Sequence, residues 1–554
     1  GLKGELRLPK DLEVISHNVF YNCDFSGELV LPENLYTIGD KAFAYNWRLM
    51  GVLEIPENVI SIGAGAFAQC RSLEGVIFPE GLESIRYNTD WFEDGGAFQN
   101  CFGIGRIVCK GTIPAYVQEG AFHGVPKDNF TLEVPESAIA QYQAATGWKE
   151  FKRISAYRNL VVRPMMANAI NTSVTRDLVL NADDEWVVES QPDWVTLDKT
   201  SGTGKHELKL TFAEMPQGSA TREGEVVFKL VDKDYRTRCK VTQYDYEYAE
   251  DQILTLQSAT KGDGVNLVFL GDGYNAKDIS EGKLLTNINE AVEHFFNIEP
   301  YKSYREYFNV YTGISVSPES GVGGVNTIIH NRFNTTAKGG VSLGGRNGES
   351  DFNMIFEYAC KAPTVSNENL DETLIVMIPN TEDYGGICYM WGDGSAIAIC
   401  PMSRDLYPYD FRGLVQHEAG GHGFAKLADE YVGGPDDMIS QSEKDLKRAN
   451  EKFGWYRNVD FTEDPSKVKW AHILSDERYA SEPEGMYEGA LGYGGGIWRP
   501  TYTSIMKDNQ GTFNAPSREV IWYRIHKLAY GNEWKYDFDS FAEYDTKNRL
   551  PVEW

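Results

Sequence analysis

The sequence predicts a multidomain protein: an N-terminal solenoid of short repeats, a small immunoglobulin-like β-sandwich and a C-terminal mixed α/β domain. At 554 residues, the chain exceeds what one hydrophobic core usually supports. A period of 23 or 24 residues occupies about its first hundred positions. Short segments of alternating polarity follow, and then strand-like and helix-like segments mix. We place the domains at residues 1–157, 158–247 and 248–554.

Composition excludes several classes of protein. The net charge of -28 argues against binding nucleic acid, whose phosphates this surface would repel. No apolar run reaches the roughly 18 residues that a membrane span needs, so we predict no transmembrane segment. The chain begins at Gly1 without an apolar segment, so we expect any signal peptide to have been removed. The eight cysteines form no CxxC pair, which predicts buried free thiols rather than thiolate metal sites.

The repeats begin at Gly4, Gly27, Gly51 and Gly75, as in GELVLPENLYTIGDKAFAYN. Proline and phenylalanine recur in phase at Pro9, Pro32, Pro56, Pro79, Phe20, Phe43 and Phe67. A short period with recurring apolar anchors predicts units that each bury one face against the next. The pattern resembles BspA-type leucine-rich repeats of bacterial surface proteins, and the segment from Cys109 to about residue 157 resembles their closing cap. The resemblance implies partner binding, or simple spacing of the following domains from the cell surface.

The second part contains strand-like segments such as DLVLNA, EWVVES and HELKLTFAE, separated by polar turns. Its order of Trp186, Trp194, an SGTG turn and a closing VTQ resembles the BACON domain. The name of that family implies carbohydrate contacts. Both tryptophans could stack on sugars, but their apolar, strand-like surroundings favour core packing.

The third part opens with VNLVFLGDGY, which predicts a buried strand ending in a turn. A helix is predicted in NINEAVEHFFNIEPY, and further strands in YFNVYTGISV, LIVMIPN and SAIAIC. The segment SAIAIC, residues 395–400, is expected to be the edge strand of the sheet. It directly precedes a histidine-containing helix.

That helix contains the chemically richest stretch, HEAGGHGFAKLADEY, at residues 417–431. Imidazole and carboxylate groups are ligands of zinc, and a carboxylate beside the metal can act as a base. His417 and His422 are five residues apart, one more than in the HExxH signature. In a regular α-helix they would point roughly 140° apart, at about 100° per residue. Glycines crowd this stretch, so we predict a π-bulge or local distortion at residues 419–421 that realigns the histidines.

This stretch, together with VNLVFLGDGY and FFNIEPYKSYREYFNVY, resembles the IgA-peptidase family of zinc metalloendopeptidases, whose fold is metzincin-like. The resemblance implies one catalytic Zn²⁺ held by His417, His422 and Asp429, with Glu418 as general base. Glu430 remains a rival third ligand. His330 and His472 are weaker rivals because they are isolated in the sequence.

Two further features bear on this assignment. Met506, in YTSIMKDN, resembles the methionine turn that lies beneath the zinc of metzincins. Arg499, Tyr502 and Tyr523 could bind substrate or an oxyanion, although a structural role is favoured for each of them. The acidic segment GGPDDM could hold calcium or be solvated, and nothing else in the sequence supports a calcium site.

The sequence therefore predicts a secreted or surface-attached zinc endopeptidase acting on extracellular proteins, with host glycoproteins among the candidates. The edge strand would pair with an extended substrate. The alternative is a surface adhesion or glycan-binding protein whose peptidase domain is catalytically impaired. A third alternative is hydrolysis of an amide on a glycoconjugate.

Overall fold

The computed structural model describes residues 3–4, 6–90, 94–156, 160–182, 184–231, 235–323, 329–338, 341–343 and 349–550. Within these residues no helix has the length and apolarity needed to cross a membrane.

The first part of the chain is built from short parallel strands. They are β1 (Lys3–Gly4), β2 (Val14–Ile15), β3 (Asp24–Glu28), β4 (Thr37–Ile38), β5 (Arg48–Glu54), β6 (Ser61–Ile62), β7 (Leu73–Phe78), β8 (Ser84–Ile85), β9 (Arg106–Cys109), β10 (Tyr116–Val117), β11 (Leu132–Val134) and β12 (Ile154–Ala156). They form one sheet in the order β1-β3-β5-β7-β9-β11-β12 and another in the order β10-β8-β6-β4-β2. Each repeat therefore adds one strand to each sheet.

A ladder of phenylalanine rings, which we call the Phe ladder, fills the space between these sheets. Phe43 stacks on Phe67 with ring centroids 5.2 Å apart, and Phe67 stacks on Phe98 at 5.3 Å. Phe98 stacks in turn on Phe122 at 5.7 Å. The repeat register thus continues past residue 105, where the sequence suggested that it ended. Helix α1 (Ile139–Ala144) and the fully buried Trp148 follow the ladder, with Trp148 packed 5.5 Å from Phe122.

The second part consists of two sheets around one apolar core. Its strands are β13 (Leu160–Arg163), β14 (Met166–Ile170), β15 (Val174–Ala182), β16 (Trp186–Ser190), β17 (Val195–Leu197), β18 (Ser201–Gly202), β19 (His206–Phe212), β20 (Arg222–Leu230) and β21 (Arg236–Tyr244). The sheet orders are β13-β15-β19-β17 and β14-β21-β20-β16-β18. Trp186 is fully buried in the core, while the half-buried Trp194 packs on Phe212 and beneath the Arg222 guanidinium. Both tryptophans therefore have the packing roles that their apolar surroundings favoured.

The third part contains a central mixed sheet with helices on its faces. Its strands are β22 (Ile253–Gln257), β23 (Val265–Asp272), β24 (Phe308–Gly313), β25 (Thr336–Lys338), β26 (Val341–Leu343), β27 (Leu374–Pro379), β28 (Ile387–Met390), β29 (Ala396–Ile399), β30 (Val432–Met438), β31 (Tyr487–Ala490) and β32 (Gly492–Arg499). The central order is β22-β24-β23-β27-β29-β28, and the remaining strands form the smaller sheets β25-β26 and β30-β32-β31. Strands β23 and β27 are buried along nearly their whole length because apolar clusters cover both faces, as expected of parallel strands.

The helices of this part are α2 (Ala276–Ser280), α3 (Lys283–Phe296), α4 (Glu349–Ala359), α5 (Phe411–Leu414), a π-helix (Val415–Phe424), α6 (Gln441–Asn450), α7 (Ala471–Leu474), α8 (Ile505–Asp508), α9 (Ala515–Tyr530) and α10 (Phe538–Asn548). Short 3-10 turns lie at Glu136–Ala138, Arg305–Tyr307, Glu451–Phe453, Glu477–Tyr479 and Gly531–Glu533.

One expectation about the sheet is wrong. Strand β29 does not lie at the edge, because it pairs in parallel with β27 on one side and antiparallel with β28 on the other. The edge of the central sheet is β28. Strand β28 was not predicted, because it is a short, half-buried strand that follows the Gly-containing segment EDYGG.

Candidate metal centre

The predicted distortion of the histidine helix is confirmed, and it is longer than expected. Residues Val415–Phe424 form a π-helix of ten residues, whereas three were predicted to be distorted. At its end the Ala425 amide donates to the Gly420 carbonyl, five residues back, at 3.2 Å. The wider turn takes up the additional residue between His417 and His422, so that their ring centroids lie 4.9 Å apart.

The glycines of this helix allow close approach by two neighbours. A Cβ atom at Gly421 would lie 2.1 Å from the Met506 sulfur, so any larger residue would collide with the methionine. At Gly420 the neighbour is Tyr301, whose hydroxyl donates to the Gly420 carbonyl at 2.6 Å. Packing against Met506 thus requires a glycine at Gly421, whereas a Cβ atom at Gly420 would make a tight contact of 3.2 Å with the Tyr301 ring. Met506 lies directly against the segment that bears the histidines.

The two histidines converge on one carboxylate. His417 Nε2 and His422 Nε2 each lie 3.1 Å from Asp429 Oδ1. Ligand atoms from these three side chains all fall within 4.8 Å of one another. Among the described residues, no other group of three or more metal-ligating side chains comes together in this way. Two imidazoles and one carboxylate form a donor set typical of catalytic zinc, with a fourth position left for water or substrate.

The other nitrogen of each ring is held by the backbone. His417 Nδ1 lies 2.9 Å from the Ile505 carbonyl, and His422 Nδ1 lies 2.7 Å from the Leu427 carbonyl. A carbonyl accepts only, so each Nδ1 must carry the proton and donate. This fixes the tautomer that leaves Nε2 available as a ligand, an arrangement common around protein-bound metals. The residues present therefore fit a metal ion.

When His417 and His422 are protonated, their positive charges and the negative charge of Asp429 stabilise one another. Burial opposes the charged imidazolium, but the Asp429 carboxylate outweighs it and raises the pKa of His422 to about 9. The pKa of His417 is also raised, because its hydrogen bond to Asp429 outweighs the effect of burial. Burial acts to raise the pKa of Asp429, but the two histidines hold it well below its usual range. Protons and a metal cation therefore compete for the same two nitrogens.

Glu430, the rival third ligand, is turned away from the cluster. It is fully buried and accepts hydrogen bonds from Asn458 at 2.8 Å, Ser504 at 2.6 Å and Asn514 at 2.9 Å. Its own amide donates to the Met506 carbonyl at 2.8 Å. With all these partners, Glu430 anchors the backbone beside Asp429 instead of reaching the histidines.

Glu418 lies on the same helix and is nearly buried, with 8% of its surface exposed. Burial raises the pKa of this carboxyl group. The chain just before edge strand β28 passes over it: a Cβ atom at Gly386 would lie 2.9 Å from Glu418 Cγ. A carboxylate with a raised pKa beside a sheet edge is placed to exchange a proton with a molecule bound along that edge.

The structure also brings in two tyrosines that the sequence reasoning did not single out. Tyr431 is 45% exposed, and its pKa is raised to about 12 by partial burial and the nearby charges of Asp429 and Glu418. Tyr384 pairs with Tyr409 at 5.4 Å, and burial and neighbouring groups including Glu418 raise its pKa. The adjacency of Tyr431 to Asp429 was a usable signal, whereas Tyr384 had none.

The remaining sequence candidates have partners elsewhere. His472 binds Glu519 at 2.9 Å, and the backbone of His330 donates to Glu319. Arg499 is buried and donates to the carbonyls of Glu488, Gly489 and Thr501. Tyr523 packs against Trp534 and Tyr536, and the exposed Tyr502 lies against Tyr487 and beneath the Lys507 amine. The acidic segment 433–438 is part of strand β30, and it contributes no ligand to the His417–His422–Asp429 cluster.

Comparison with protein families gives three matches along the chain. Residues 253–479 match IgA Peptidase M64, a metallopeptidase family. Residues 4–126 match the BspA type Leucine rich repeat region in six copies, and residues 184–243 match BACON, described as "Putative binding domain, N-terminal". These are the three resemblances seen in the sequence, in the same order. The chain is thus a multidomain protein with leucine-rich-repeat and peptidase domains, and its first two domain types are typical of extracellular proteins.

No curated protein matches the chain. Among solved structures, a Bacteroides ovatus GH5 xyloglucanase in complex with a XXXG heptasaccharide shares 16% identity at a TM-score of 0.16, covering 19% of this chain and 26% of that one. A protein of unknown function from Porphyromonas gingivalis shares 15% identity at a TM-score of 0.15, covering 21% and 59%. The Vibrio cholerae VesB protease shares 11% at a TM-score of 0.13, covering 16% and 32%. Similarities this low carry no argument about fold or function.

Proposed function

We propose that the protein is a secreted or surface-attached zinc endopeptidase that cleaves extracellular proteins, with host glycoproteins among the candidate substrates. One observation carries the proposal: the Nε2 atoms of His417 and His422 converge on Asp429, while backbone carbonyls hold both Nδ1 atoms. The match to a metallopeptidase family over residues 253–479 supports the reaction class.

We assign His417, His422 and Asp429 as the zinc ligands and Glu418 as the general base. Bound zinc supplies Lewis acidity, which polarises a carbonyl group and makes water easier to deprotonate. Glu418 accepts a proton from the attacking water and later delivers it to the leaving amine as the peptide bond breaks. Its raised pKa favours both steps, because the carboxyl group can hold the proton between them.

The substrate is proposed to bind along edge strand β28 rather than along β29. The strand begins directly after Gly386, whose backbone passes over Glu418. Within the described part of the central sheet, β28 pairs with β29 alone, and no strand is hydrogen-bonded to its other edge. Backbone pairing along that edge would bind an extended peptide without fixing its sequence.

The larger architecture is part of the same proposal. We infer a solenoid with its cap at residues 1–157, a β-sandwich at 158–247 and a metzincin-like peptidase at 248–554. The position of Met506 against Gly421 supports a methionine turn beneath the site.

Replacing Glu418 tests the proposal most directly. Glu418→Gln keeps the shape of the side chain but removes the base, so proteolysis of fluorescein-labelled casein should fall by about 10²- to 10⁴-fold. Zinc content, measured by mass spectrometry of the purified protein, should stay near one ion per chain because Glu418 is not a ligand. The matched control is the exposed Glu463→Gln, which should change neither quantity.

Three results would count against the proposal. Undiminished cleavage by Glu418→Gln would remove its role as base. Wild-type protein that retains no stoichiometric zinc would favour the alternative, a surface adhesion or glycan-binding protein with an impaired peptidase domain. The two binding-type modules and the five-residue histidine spacing favour that alternative, and the π-helix weakens the argument from spacing. Zinc binding without cleavage of any protein would favour an amide on a glycoconjugate as the substrate.

A further inference from the structure

A large cleft lies between the repeat array and the β-sandwich, away from the metal centre. Its volume is about 870 Å³. One wall is the open face of the parallel sheet β3-β5-β7-β9 with the turns that follow, and the other is formed by β13, β15 and Lys205 of the sandwich. We call it the interdomain cleft. Its size is in the range of sites that bind small molecules or short segments of a polymer.

Both walls of the interdomain cleft carry apolar side chains. Val52 on the repeat side is 37% exposed, and Val179 on the sandwich side is 36% exposed. Val161 and Ile77 line the same space. Valines left partly exposed on both walls are a surface on which an occupant with apolar side chains would exclude water.

Most cations of the interdomain cleft are already paired. Lys205 bridges the two walls by binding Glu28 at 2.9 Å. Lys110 binds both Glu54 at 3.1 Å and Glu57 at 3.0 Å, so one positive charge is shared by two carboxylates.

Deeper in the interdomain cleft, Arg106 pairs with Glu133 at 3.2 Å. Glu74 lines the repeat side of the cleft and interacts electrostatically with Arg163 on the sandwich side. With Lys110 already shared between two carboxylates, the lining has more negative charge than its own cations neutralise. An occupant that brings a cation is therefore favoured, and an anionic one is repelled.

One donor in the interdomain cleft also lacks a partner. Arg163 lines the cleft, and its Nε is buried without a hydrogen-bond partner. Burial and the nearby Arg106 both lower the pKa of Arg163, and a buried donor without an acceptor is unfavourable. A carbonyl oxygen of an occupant would supply that acceptor. The amide of Asn181 lines the same wall.

These observations call for one molecule with apolar side chains, a cation and backbone carbonyls. We propose that the interdomain cleft binds an extended peptide segment of a partner protein, with apolar residues flanking lysine or arginine. A neutral glycan offers no cation to Glu74, and an acidic polymer would face five carboxylates in the lining. The cleft is separate from the zinc ligands, so this inference does not depend on the proposed peptidase activity.

The test uses full-length protein and fluorescein-labelled peptides of the pattern Val-X-Val-X-Val-Gly, with X as lysine, glutamine or glutamate. Fluorescence anisotropy should show binding of the lysine peptide, at least tenfold weaker binding of the glutamine peptide, and the weakest binding of the glutamate peptide. The proposal would be overturned if all three peptides bound equally, or if the lysine peptide did not bind at about 1 mM. Displacement of the bound lysine peptide by maltoheptaose would also overturn it, since a neutral sugar would then be the better occupant.

Variants place the peptide in the interdomain cleft. Val179→Trp fills the space and should weaken binding of the lysine peptide at least tenfold, while Val231→Trp, at another exposed valine of the sandwich, should not. Glu74→Gln should weaken the lysine peptide about tenfold and leave the glutamine peptide unchanged. Glu223→Gln, on the sandwich outside the cleft, is its control. Unchanged binding in Val179→Trp and Glu74→Gln, with thermal unfolding as in wild type, would overturn the location.

The catalytic site is tested separately. Binding of the lysine peptide should be the same in Glu418→Gln and in chelator-treated protein. Loss of binding in either would mean that the peptide occupies the metal centre, and would also overturn the proposal. An inactive but peptide-binding protein would refute the peptidase assignment alone.

Discussion

The repeat array and the metal centre are stabilised in different ways. In the array, one arrangement is repeated. Phe43, Phe67, Phe98 and Phe122 stack at centroid distances of 5.2 to 5.7 Å, so each ring makes the same kind of contact as its neighbours. In the metal centre, each polar group has a different task and different partners. The array draws its stability from burying apolar surface many times over, whereas the centre depends on a few hydrogen bonds to buried groups. Substitutions in the array should therefore lower the free energy of unfolding, whereas substitutions in the centre should mainly reduce metal binding and activity.

The largest effect on stability is expected from breaking the Phe ladder. Phe67 is fully buried between two stacked rings, so Phe67→Ala should lower the free energy of unfolding of the array by about 3–5 kcal/mol. Limited proteolysis and urea denaturation would measure the loss, with the exposed Tyr116→Ala as control. Zinc content and proteolysis should survive, because Phe67 belongs to a different apolar core from the metal helix. Loss of zinc together with the repeats would show that the two regions are not independent.

A smaller change in the π-helix should impair the metal centre and leave the repeat array folded. Gly421→Ala sets a methyl group against the Met506 sulfur, and overpacking of this kind costs about 1–3 kcal/mol. The shift of the helix should reduce zinc content and activity while the array stays folded. Gly392→Ala, where a methyl group would meet open space, is the matched control. Adding Met506→Ala to Gly421→Ala should restore part of the zinc content. If it does not, the collision with Met506 is not the cause.

Zinc affinity should depend on pH in a direction set by His422. In the metal-free protein the pKa of His422 is raised to about 9, above its ordinary value of 6.5, because Asp429 outweighs the effect of burial. Below about pH 9, zinc must displace that proton, so affinity should rise with pH by about tenfold per unit for each proton released. Competition with a chromophoric chelator at several pH values would measure this. Glu519→Gln, which alters the His472 pair outside the site, should leave the slope unchanged. A flat profile would show that the histidines are already neutral in the metal-free protein.

The smallest effect concerns Lys426, a nearly buried lysine at the end of the metal helix. Burial, together with the charge of Arg524, lowers its pKa from 10.5 to about 7. The unfolded chain therefore holds this proton more tightly between those values. The contribution of Lys426 to the stability of the folded protein is then present in full above pH 10.5 and is lost as the pH falls through about 7. For this one proton the slope is at most about 1.4 kcal/mol per pH unit.

Lys426→Met should remove this pH dependence, because methionine fills a similar volume without a titrating group. The measurement is the difference in urea midpoint between zinc-loaded wild type and variant at pH 7, 8 and 9. That difference should shrink as the pH rises. The exposed Lys452→Met should show no such trend. A constant difference would mean that Lys426 keeps its proton when buried.

The two regions also differ in what their sequences predict. The period of the repeats predicted that Phe43 and Phe67 share one register, because a repeated pattern is visible in the chain itself, but it did not predict that Phe98 and Phe122 continue the ladder. In the metal centre, the unfavourable glycines and the five-residue spacing together predicted a distortion. They did not predict its ten-residue length, nor its contacts with Tyr301 and Met506 from distant parts of the chain.

The side chains that hold Glu430, next to Asp429, could not be predicted for the same reason. Asn458, Ser504 and Asn514 meet at Glu430 from three separate segments, and an isolated polar residue carries no periodic signal. Strand order failed likewise, since nothing local distinguishes β29, which is internal, from β28 at the edge. The repeats and the short histidine motif could be predicted from the sequence, whereas contacts between distant segments and the order of the strands could not.

The π-helix has a practical consequence for detecting such sites by pattern. A search that fixes the two histidines of a zinc helix four positions apart passes over HEAGGH, although the folded helix brings both rings to one carboxylate. Spacing along the chain is a proxy for direction around a helix, and the proxy fails wherever the pitch changes. A pattern that permits one additional residue, provided that glycines accompany it, would recover chains of this kind.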